Sequence, residues 1–511
     1  MANSPQKGMV VLVGAGPGHP GLITLEGLRW LARADVVFHD RLACPQLLEY
    51  APVKARRVFV GKARGDSSLS QDDINRLLIE AALEGQMVVR LKGGDPFIFG
   101  RGGEEAAALE AAGVPFRVVP GVTAASGAAA WMGLPLTDRR LAGNVAFVTA
   151  EEDPSRIESR LNWQALAGID TVVFYMGVKT LSQVAARLIA AGKPADTPAA
   201  IIERATLPGQ RMLTATLETI AQAAAAANIQ PPAITIVGPV VKLAERLNWR
   251  AALPLAGRTI VVTRPADQST SLNEHLSDLG ADVLVAPAVE IHPLEDLSAI
   301  DTALRNLDQY AWVCFTSGNG VSSFLDRAAA IGLDGRALAG AKIAAIGPAT
   351  AEALRGRFLR PDVVPQTFTG EALAGAILAC DAALAGRRVL LARADIAQPE
   401  LPAALRKAGA TVDDVTVYRT ARPKALPPEV LAALADRRVD WLTFTSGSTV
   451  RNFVELAAEA KTSLEGVKLA SIGPSTSAAL RAAGLVPTIQ ADPHTAQGLL
   501  GAILAAEGAR E

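Results

Sequence analysis

Two glycine-rich stretches follow short apolar runs, and both have the make-up of a ligand loop. The first, Gly14-Ala-Gly-Pro-Gly18, comes directly after Val10–Val13. Glycines after a parallel strand let the backbone approach a ligand closely. A dinucleotide fingerprint would add a third glycine at a helix start and an acidic residue about 20 residues on. Asp40 stands near that distance, but Pro17 and Pro20 interrupt the loop and put the helix start at Thr24. The second stretch is Val88–Glu105, VVRLKGGDPFIFGRGGEE. Gly93 and Gly94 again permit close approach. Asp95, before Pro96, either caps the next helix or accepts from a ligand amine or hydroxyl. In the second half the chemistry rests on hydroxyls. FTSG occurs at Phe315–Gly318 and Phe444–Gly447, and IGP-x-T at Ile346–Thr350 and Ile472–Thr476. At the carboxyl ends of parallel strands such groups can bind carboxylates; they can also simply cap the helices that follow. No Ser-His-Asp set, metal-ligand spacing or cysteine nucleophile is visible, and His275, His292 and His494 have no motif around them.

These loops need strands and helices to hold them. Val/Ile-rich runs such as MVVLVGAG, ADVVFHD, MVVRLKGGD, NVAFVTA, DTVVFYMG and AITIVGP alternate with Ala/Leu/Glu/Arg-rich helical runs. Continuous apolar strands between helices predict α/β layers with mostly parallel sheets. At roughly 100–200 residues per domain, 511 residues predict three or four domains. Leu243–Gly257 reads as a final helix and a linker before a new strand at Arg258.

The second half repeats itself. WVCFTSGNGVSSF (Trp312–Phe324) and WLTFTSGSTVRNF (Trp441–Phe453) agree at seven of thirteen positions. KIAAIGPATAEAL (Lys342–Leu354) and KLASIGPSTSAAL (Lys468–Leu480) agree at eight of thirteen. GRTIVVTR at Gly257 aligns with GRRVLLAR at Gly386, and LGADV at Leu279 with AGATV at Ala408. Three pairs share an offset of 129 and the fourth an offset of 126, which marks a duplication. Two similar lobes follow, with a ligand cleft between them.

Composition narrows the partners. A net charge of −1 gives no global field for nucleic acid or an anionic membrane, so an acidic substrate would need local arginines. Cys44, Cys314 and Cys380 lie far apart, which predicts a reducing, cytoplasmic setting and no structural zinc. The N-terminus lacks a signal-peptide core. The uncharged stretches Val118–Thr137 and Ala221–Val241 carry prolines and polar residues and do not read as membrane spans.

GAGPG, ADVVFHDRL, VGKARGDSSLSQDDIN, VVRLKGGDPFIFGRGGEE and VVPGVTAASGAAAWMGLPLTDR occur in this order over about 140 residues. Together they closely resemble uroporphyrinogen-III C-methyltransferase of the tetrapyrrole methylase family, and TVVFYMGV, IIERATLPGQRMLTATL and PAITIVGPVV extend the resemblance to about Val241. The resemblance implies a two-lobed methylase over residues 1–249, split near 120–140. It implies S-adenosylmethionine in the cleft, no NAD, no metal, and a homodimer formed through this half. Carried over by position, Pro17, Gly93, Gly94, Asp95, Ile98, Thr123, Ala124, Met176 and Ala205 would contact the cofactor. Asp40 would be the proton acceptor and Lys62 the donor, a pairing suited to a reaction that leaves a cationic ring with a proton to lose. Arg64, Arg101, Arg139 and Arg140 could hold substrate carboxylates. Three positions depart from the pattern: Ala205 stands where glycine is common, His19 replaces an acidic residue, and TAEED (Thr149–Asp153) lacks a histidine.

From about Gly257 to Leu504 the chain resembles uroporphyrinogen-III synthase, on TRP, PAVEI, FTSGNGV, AIGPATAEAL, VTVYRT, FTSGS and IGPSTSAAL. This implies a two-lobed, internally duplicated, flavodoxin-like α/β synthase over 250–511. Lobe one would be 257–286 plus 420–505, lobe two 290–416, with PAVEI and VYRTA as the linkers. Tyr418 would assist loss of a hydroxyl. Ser317, Thr350, Ser446, Thr476 and Lys468 would bind carboxylates of the bilane. Together the halves imply a bifunctional enzyme that makes uroporphyrinogen III from hydroxymethylbilane and methylates it twice to precorrin-2. A regulatory tetrapyrrole-binding protein with an inactive half is one alternative, and a nicotinamide oxidoreductase is another.

Overall fold

The computed structural model describes residues 8–61, 69–150, 160–264 and 266–508. The architecture is α/β throughout, with four five-stranded sheets. A first compact unit runs to Thr259, and a second is carried mainly by Leu284–Ala506.

The first unit holds two sheets. One is wholly parallel, in the order Arg56–Phe59, Val36–His39, Met87–Lys92, Met9–Gly14, Phe116–Val119. Val10, Val11, Leu12 and Val13 in its interior strand are wholly buried, because helices cover both faces. Each such side chain contributes about 1.5–3 kcal/mol on burial. The loops after Gly14 and Lys92 leave from the carboxyl edge of adjacent strands, and Ala15 N–H donates to Lys92 O (2.7 Å). Thr24 Oγ1 accepts from Gly27 N–H (3.1 Å) and caps the helix Leu25–Leu31, where the prolines of the loop predict its start. The other sheet is mixed, in the order Val145–Thr149, Thr171–Tyr175, Ala233–Val237, Pro198–Glu203, Arg211–Thr216. Only its first pair is parallel. After it, the helix expected from Leu243 is a single turn, Ala244–Leu247. Asn248 ends it by turning its side chain on Ala251 N–H (3.4 Å), and a 3-10 turn follows over Trp249–Ala252.

The second unit exchanges strands between its repeats. Thr259–Val262 comes from the first repeat, yet it pairs with Trp441–Phe444 of the second, which continues to Lys468–Ser471 and Ile489–Gln490. Conversely Arg388–Ala394 and Thr411–Ala421 of the second repeat share a sheet with Tyr310–Phe315 and Lys342–Ala345 of the first. The duplication therefore does not map one repeat to one lobe. Each sheet is a composite, and the chain must cross between sheets twice. Those crossings carry PAVEI and VYRTA. Glu290–His292 pairs antiparallel with the end of Thr411–Ala421, Glu290 opposite Ala421 and His292 opposite Arg419.

Candidate functional site

Five loops of the first unit meet around one point. Gly16 and Gly94 exchange backbone hydrogen bonds, Gly94 N–H to Gly16 O at 2.7 Å and Gly16 N–H to Gly94 O at 3.2 Å. A Cβ on Gly14 would lie 2.5 Å from Gly121 Cα, and one on Gly121 would lie 2.3 Å from Gly94 O, so neither position admits a side chain. Asp95 joins the second loop to the third: Oδ2 accepts from Gly121 N–H (2.9 Å) and Oδ1 from Phe97 N–H (2.8 Å). It caps no helix, since the next one begins at Gly102 behind Arg101. Pro17 leans on the helix Ala124–Trp131, where a Cβ on Gly127 would meet its Cγ at 2.4 Å. His19 N–H donates to Thr206 Oγ1 (3.0 Å), which ties the first loop to the segment holding Ala205. Tyr175 completes the set. Its hydroxyl hydrogen-bonds Thr123 Oγ1 (2.7 Å) and accepts from Ala125 N–H (3.0 Å), and its ring lies 4.9 Å from Phe99. Burial pushes its phenol up, so it stays protonated.

The backbone in these loops is strained. Phe99, Arg101, Met176, Arg204 and Thr206 all have φ between 50° and 62°, a conformation non-glycine residues rarely adopt. Residues held there cost about 1–3 kcal/mol each and persist where surrounding structure over-determines them, which is typical of ligand clamps.

Asp40 follows the strand Val36–His39. Its Oδ1 accepts from Leu42 N–H (3.0 Å) and Ala43 N–H (3.2 Å). Its Oδ2 faces Arg90 Nη2 at 3.4 Å, so its ion-pair partner is Arg90 rather than the adjacent Arg41. Arg90 Nε and Lys92 Nζ both donate to Glu105 Oε1, at 3.1 and 2.9 Å. These three residues are buried. Burial and the neighbouring Arg90 hold the Lys92 ammonium below its ordinary range.

In the second unit the FTSG and IGP loops adjoin in each sheet. Ile346 N–H donates to Phe315 O, and Ile472 N–H to Phe444 O, both at 3.0 Å. Ser317 Oγ accepts from Gly320 N–H (3.0 Å) and caps the helix Gly318–Ala330; Ser446 Oγ accepts from Thr449 N–H (3.2 Å) and caps Gly447–Glu459. Both serines therefore do the capping that their position allows. Ser317 Oγ also lies 3.0 Å from the Tyr418 hydroxyl, whose phenol burial pushes up. Thr350 and Thr476 are buried in the first turns of Pro348–Arg355 and Pro474–Ala482, whose starts receive no side-chain cap.

Comparison with known proteins fits both halves. The family model for tetrapyrrole (corrin/porphyrin) methylases matches residues 9–221, and that for uroporphyrinogen-III synthase HemD matches residues 270–501. The porphyrin biosynthesis protein HemD of Ruminiclostridium josui is 38% identical over 477 residues, covering 93% of this chain and 94% of that protein. The chain belongs to the family that joins a tetrapyrrole methylase to a HemD uroporphyrinogen-III synthase. The siroheme synthase of Thiobacillus denitrificans is 49% identical over 249 residues, 48% of this chain and 52% of that protein. The chain thus spans about half the length of that relative. Among solved structures, uroporphyrin-III C-methyl transferase from Thermus thermophilus complexed with S-adenosyl homocysteine is 40% identical, covering 46% of this chain and 100% of that one, at a TM-score of 0.40. A mutant uroporphyrinogen III synthase from Thermus thermophilus is 24% identical, covering 49% and 98%, at a TM-score of 0.37.

Within the methylase half the contacts above join Pro17, Gly94, Asp95 and Thr123; Ala124 opens the helix on which Pro17 leans, Met176 follows Tyr175, and Ala205 precedes Thr206. Gly93 sits at the start of the second loop, and Ile98 lies exposed further along it. Lys62, Arg64 and Glu151–Asp153 lie outside the described residues. Arg101 pairs with Glu104 (2.6 Å), and Arg140 lies 3.6 Å from Asp138 with its side chain 79% exposed. Arg139 is exposed. In the synthase half Ser317, Thr350 and Tyr418 share one sheet edge, and Ser446 and Thr476 share another. Lys468 does not join them. It opens the strand that Ser471 closes, at the opposite end from the loop, and its ammonium lies 5.2 Å from the Trp441 ring. Its repeat counterpart Lys342 lies 5.3 Å from Trp312, so this cation–π pair is a duplicated packing feature. Arg90, Lys92, Glu105 and Tyr175 were not anticipated. The available signal was two basic residues at alternate positions of an otherwise apolar strand.

Proposed function

We propose that this enzyme closes hydroxymethylbilane to uroporphyrinogen III in residues 250–511 and methylates that product at two carbons in residues 1–249, giving precorrin-2. The alignment with a porphyrin biosynthesis protein along nearly the whole chain carries this reading. Siroheme synthases that match the methylase half support a role in the siroheme or cobalamin branch.

The methylase loops fit S-adenosylmethionine. Gly94, at φ +71°, leaves open the space that a Cβ would enter, bordered by Ala124 N at 3.7 Å and Thr123 Cα at 4.0 Å. Pro17, Gly93, Gly94, Asp95, Ile98, Thr123, Ala124, Met176 and Ala205 would hold it. When bound, it supplies an electrophilic sulfonium methyl. Methylation leaves the pyrrole ring cationic, with one proton in excess on the macrocycle. Asp40 Oδ2 accepts that proton, since Oδ1 is committed to two backbone N–H groups. Lys62 would donate a proton at one position of the macrocycle as a second proton leaves another, so that each methylation still releases one proton net.

In the synthase half the substrate is reactive by itself, so holding one conformation is the main task. The helices Pro348–Arg355 and Pro474–Ala482 have no side-chain cap, and the N–H groups of their first turns after each proline would face substrate carboxylates, beside Ser317, Thr350, Ser446 and Thr476. Tyr418, oriented by Ser317, donates its phenolic proton as the hydroxymethyl C–O bond breaks, and the hydroxyl leaves as water. The enzyme would act in the cytoplasm and assemble as a homodimer through the methylase half. The test is incubation with hydroxymethylbilane and S-adenosylmethionine. Absorbance and mass of a twice-methylated dipyrrocorphin are expected; uroporphyrinogen III alone, or none, sinks the reading in one half or both.

A further inference from the structure

The ions behind Asp40 form one connected set. Glu105 has no exposure, and its Oε1 accepts from Arg90 Nε, Lys92 Nζ and, at 3.4 Å, Gln71 Nε2. Its Oε2 is buried with no partner. Arg90 Nη1 donates to Leu91 O (3.2 Å), which leaves Nη2 for Asp40 Oδ2. Taking such charges out of water opposes folding, and well-packed apolar residues would serve stability as well or better. Stability alone therefore does not explain an arginine, a lysine and a glutamate inside a valine-rich sheet.

The placement of the set is informative. Arg90 and Lys92 end the strand that leads into Gly93-Gly94, and Glu105 lies in the helix after that loop. The Lys92–Glu105 pair closes the base of the cofactor loop, and Arg90 carries the same frame across to Asp40. With Oδ1 held by Leu42 and Ala43 and Oδ2 by Arg90, the carboxylate plane cannot turn freely. The geometry points to Arg90, held by Glu105, as the positioning residue of the base: it fixes the carboxylate of Asp40, while Lys92 alone carries the tie from Glu105 to the cofactor loop. This rests on the reading of Asp40 as proton acceptor. Arginine suits the task because its fork reaches two carboxylates at once; a lysine offers one nitrogen.

The test uses the full chain. Arg90→Lys keeps the charge and removes the fork. It should lower kcat of methyl transfer about 10- to 100-fold, the scale of a small misplacement of a reacting group. The Kd of S-adenosylhomocysteine should stay within about twofold. In an Asp40→Asn background the same substitution should have no further effect on kcat, since Arg90 acts through Asp40. An Arg90→Lys effect that persists in full in that background overturns the inference and leaves the base assignment standing. Wild-type turnover by Asp40→Asn overturns both. If Arg90→Lys fails to bind S-adenosylhomocysteine, Glu105→Gln, of the same shape without the charge, carries the same comparison.

Discussion

Asp40 has one oxygen committed to two backbone N–H groups and the other facing Arg90. A general base contributes about 10²–10⁴-fold to such a step. With Asp40 as the proposed base, Asp40→Ala should therefore lose methyl transfer on that scale while S-adenosylhomocysteine binding by calorimetry is retained, because its hydrogen-bond and ion-pair partners, Leu42, Ala43 and Arg90, lie outside the loops that meet at Gly94. Wild-type rates would remove Asp40 from the mechanism. Tyr418→Phe keeps the buried ring and removes only the hydroxyl bonded to Ser317. It should cost about 1 kcal/mol in unfolding free energy and slow ring closure at least tenfold, read as uroporphyrinogen III formed relative to the spontaneous isomer. An unchanged isomer ratio would make Tyr418 a packing residue. Asp40 and Tyr418 could be proposed from the resemblance because each sits inside a contiguous motif. Arg90 and Glu105 could not. A charged residue in a chain is read as exposed by default, and only the fold brings their two elements together in the interior.

At the level of elements, the glycine loops and the caps were legible because their physics is local. Gly14, Gly16 and Gly94 follow apolar strands, and Thr24, Ser317 and Ser446 precede helical runs. Strand exchange in the synthase half was not contained in those local signals. The constant offset reveals a duplication, yet which strand pairs with which depends on contacts well over a hundred residues apart, such as Val261 opposite Leu442. The resemblance to the synthase family, with its segmented lobes, was what pointed beyond the repeat. Gly94 gives the test at this level. Gly94→Ala should lose about 1–2 kcal/mol from its left-handed backbone and should also weaken S-adenosylhomocysteine binding at least tenfold, because the methyl enters the cradle by Thr123 and Ala124. Gly192→Ala is the control. That position also has positive φ, +103°, with nothing within 4 Å, so only stability should fall. Equal effects of both variants on binding would mean that Gly94 matters only for the fold.

On the proposed function, the whole chain couples production and consumption of one unstable intermediate. Fusion keeps the two enzymes in equal number and raises the chance that a released product meets the second site. It does not hold that product. Uroporphyrinogen III free in solution diffuses in all directions, and an anionic macrocycle gains no global steering from a chain whose net charge is −1. With labelled hydroxymethylbilane, S-adenosylmethionine and an excess of unlabelled uroporphyrinogen III, we expect the label in precorrin-2 to be diluted in proportion to the pools, measured by mass at early turnover. Label retained well above that proportion would demonstrate transfer between the halves. The covalent joint would then matter for geometry as well as for stoichiometry, and cutting the chain near Leu253–Gly257 should restore full dilution while each half keeps its own rate.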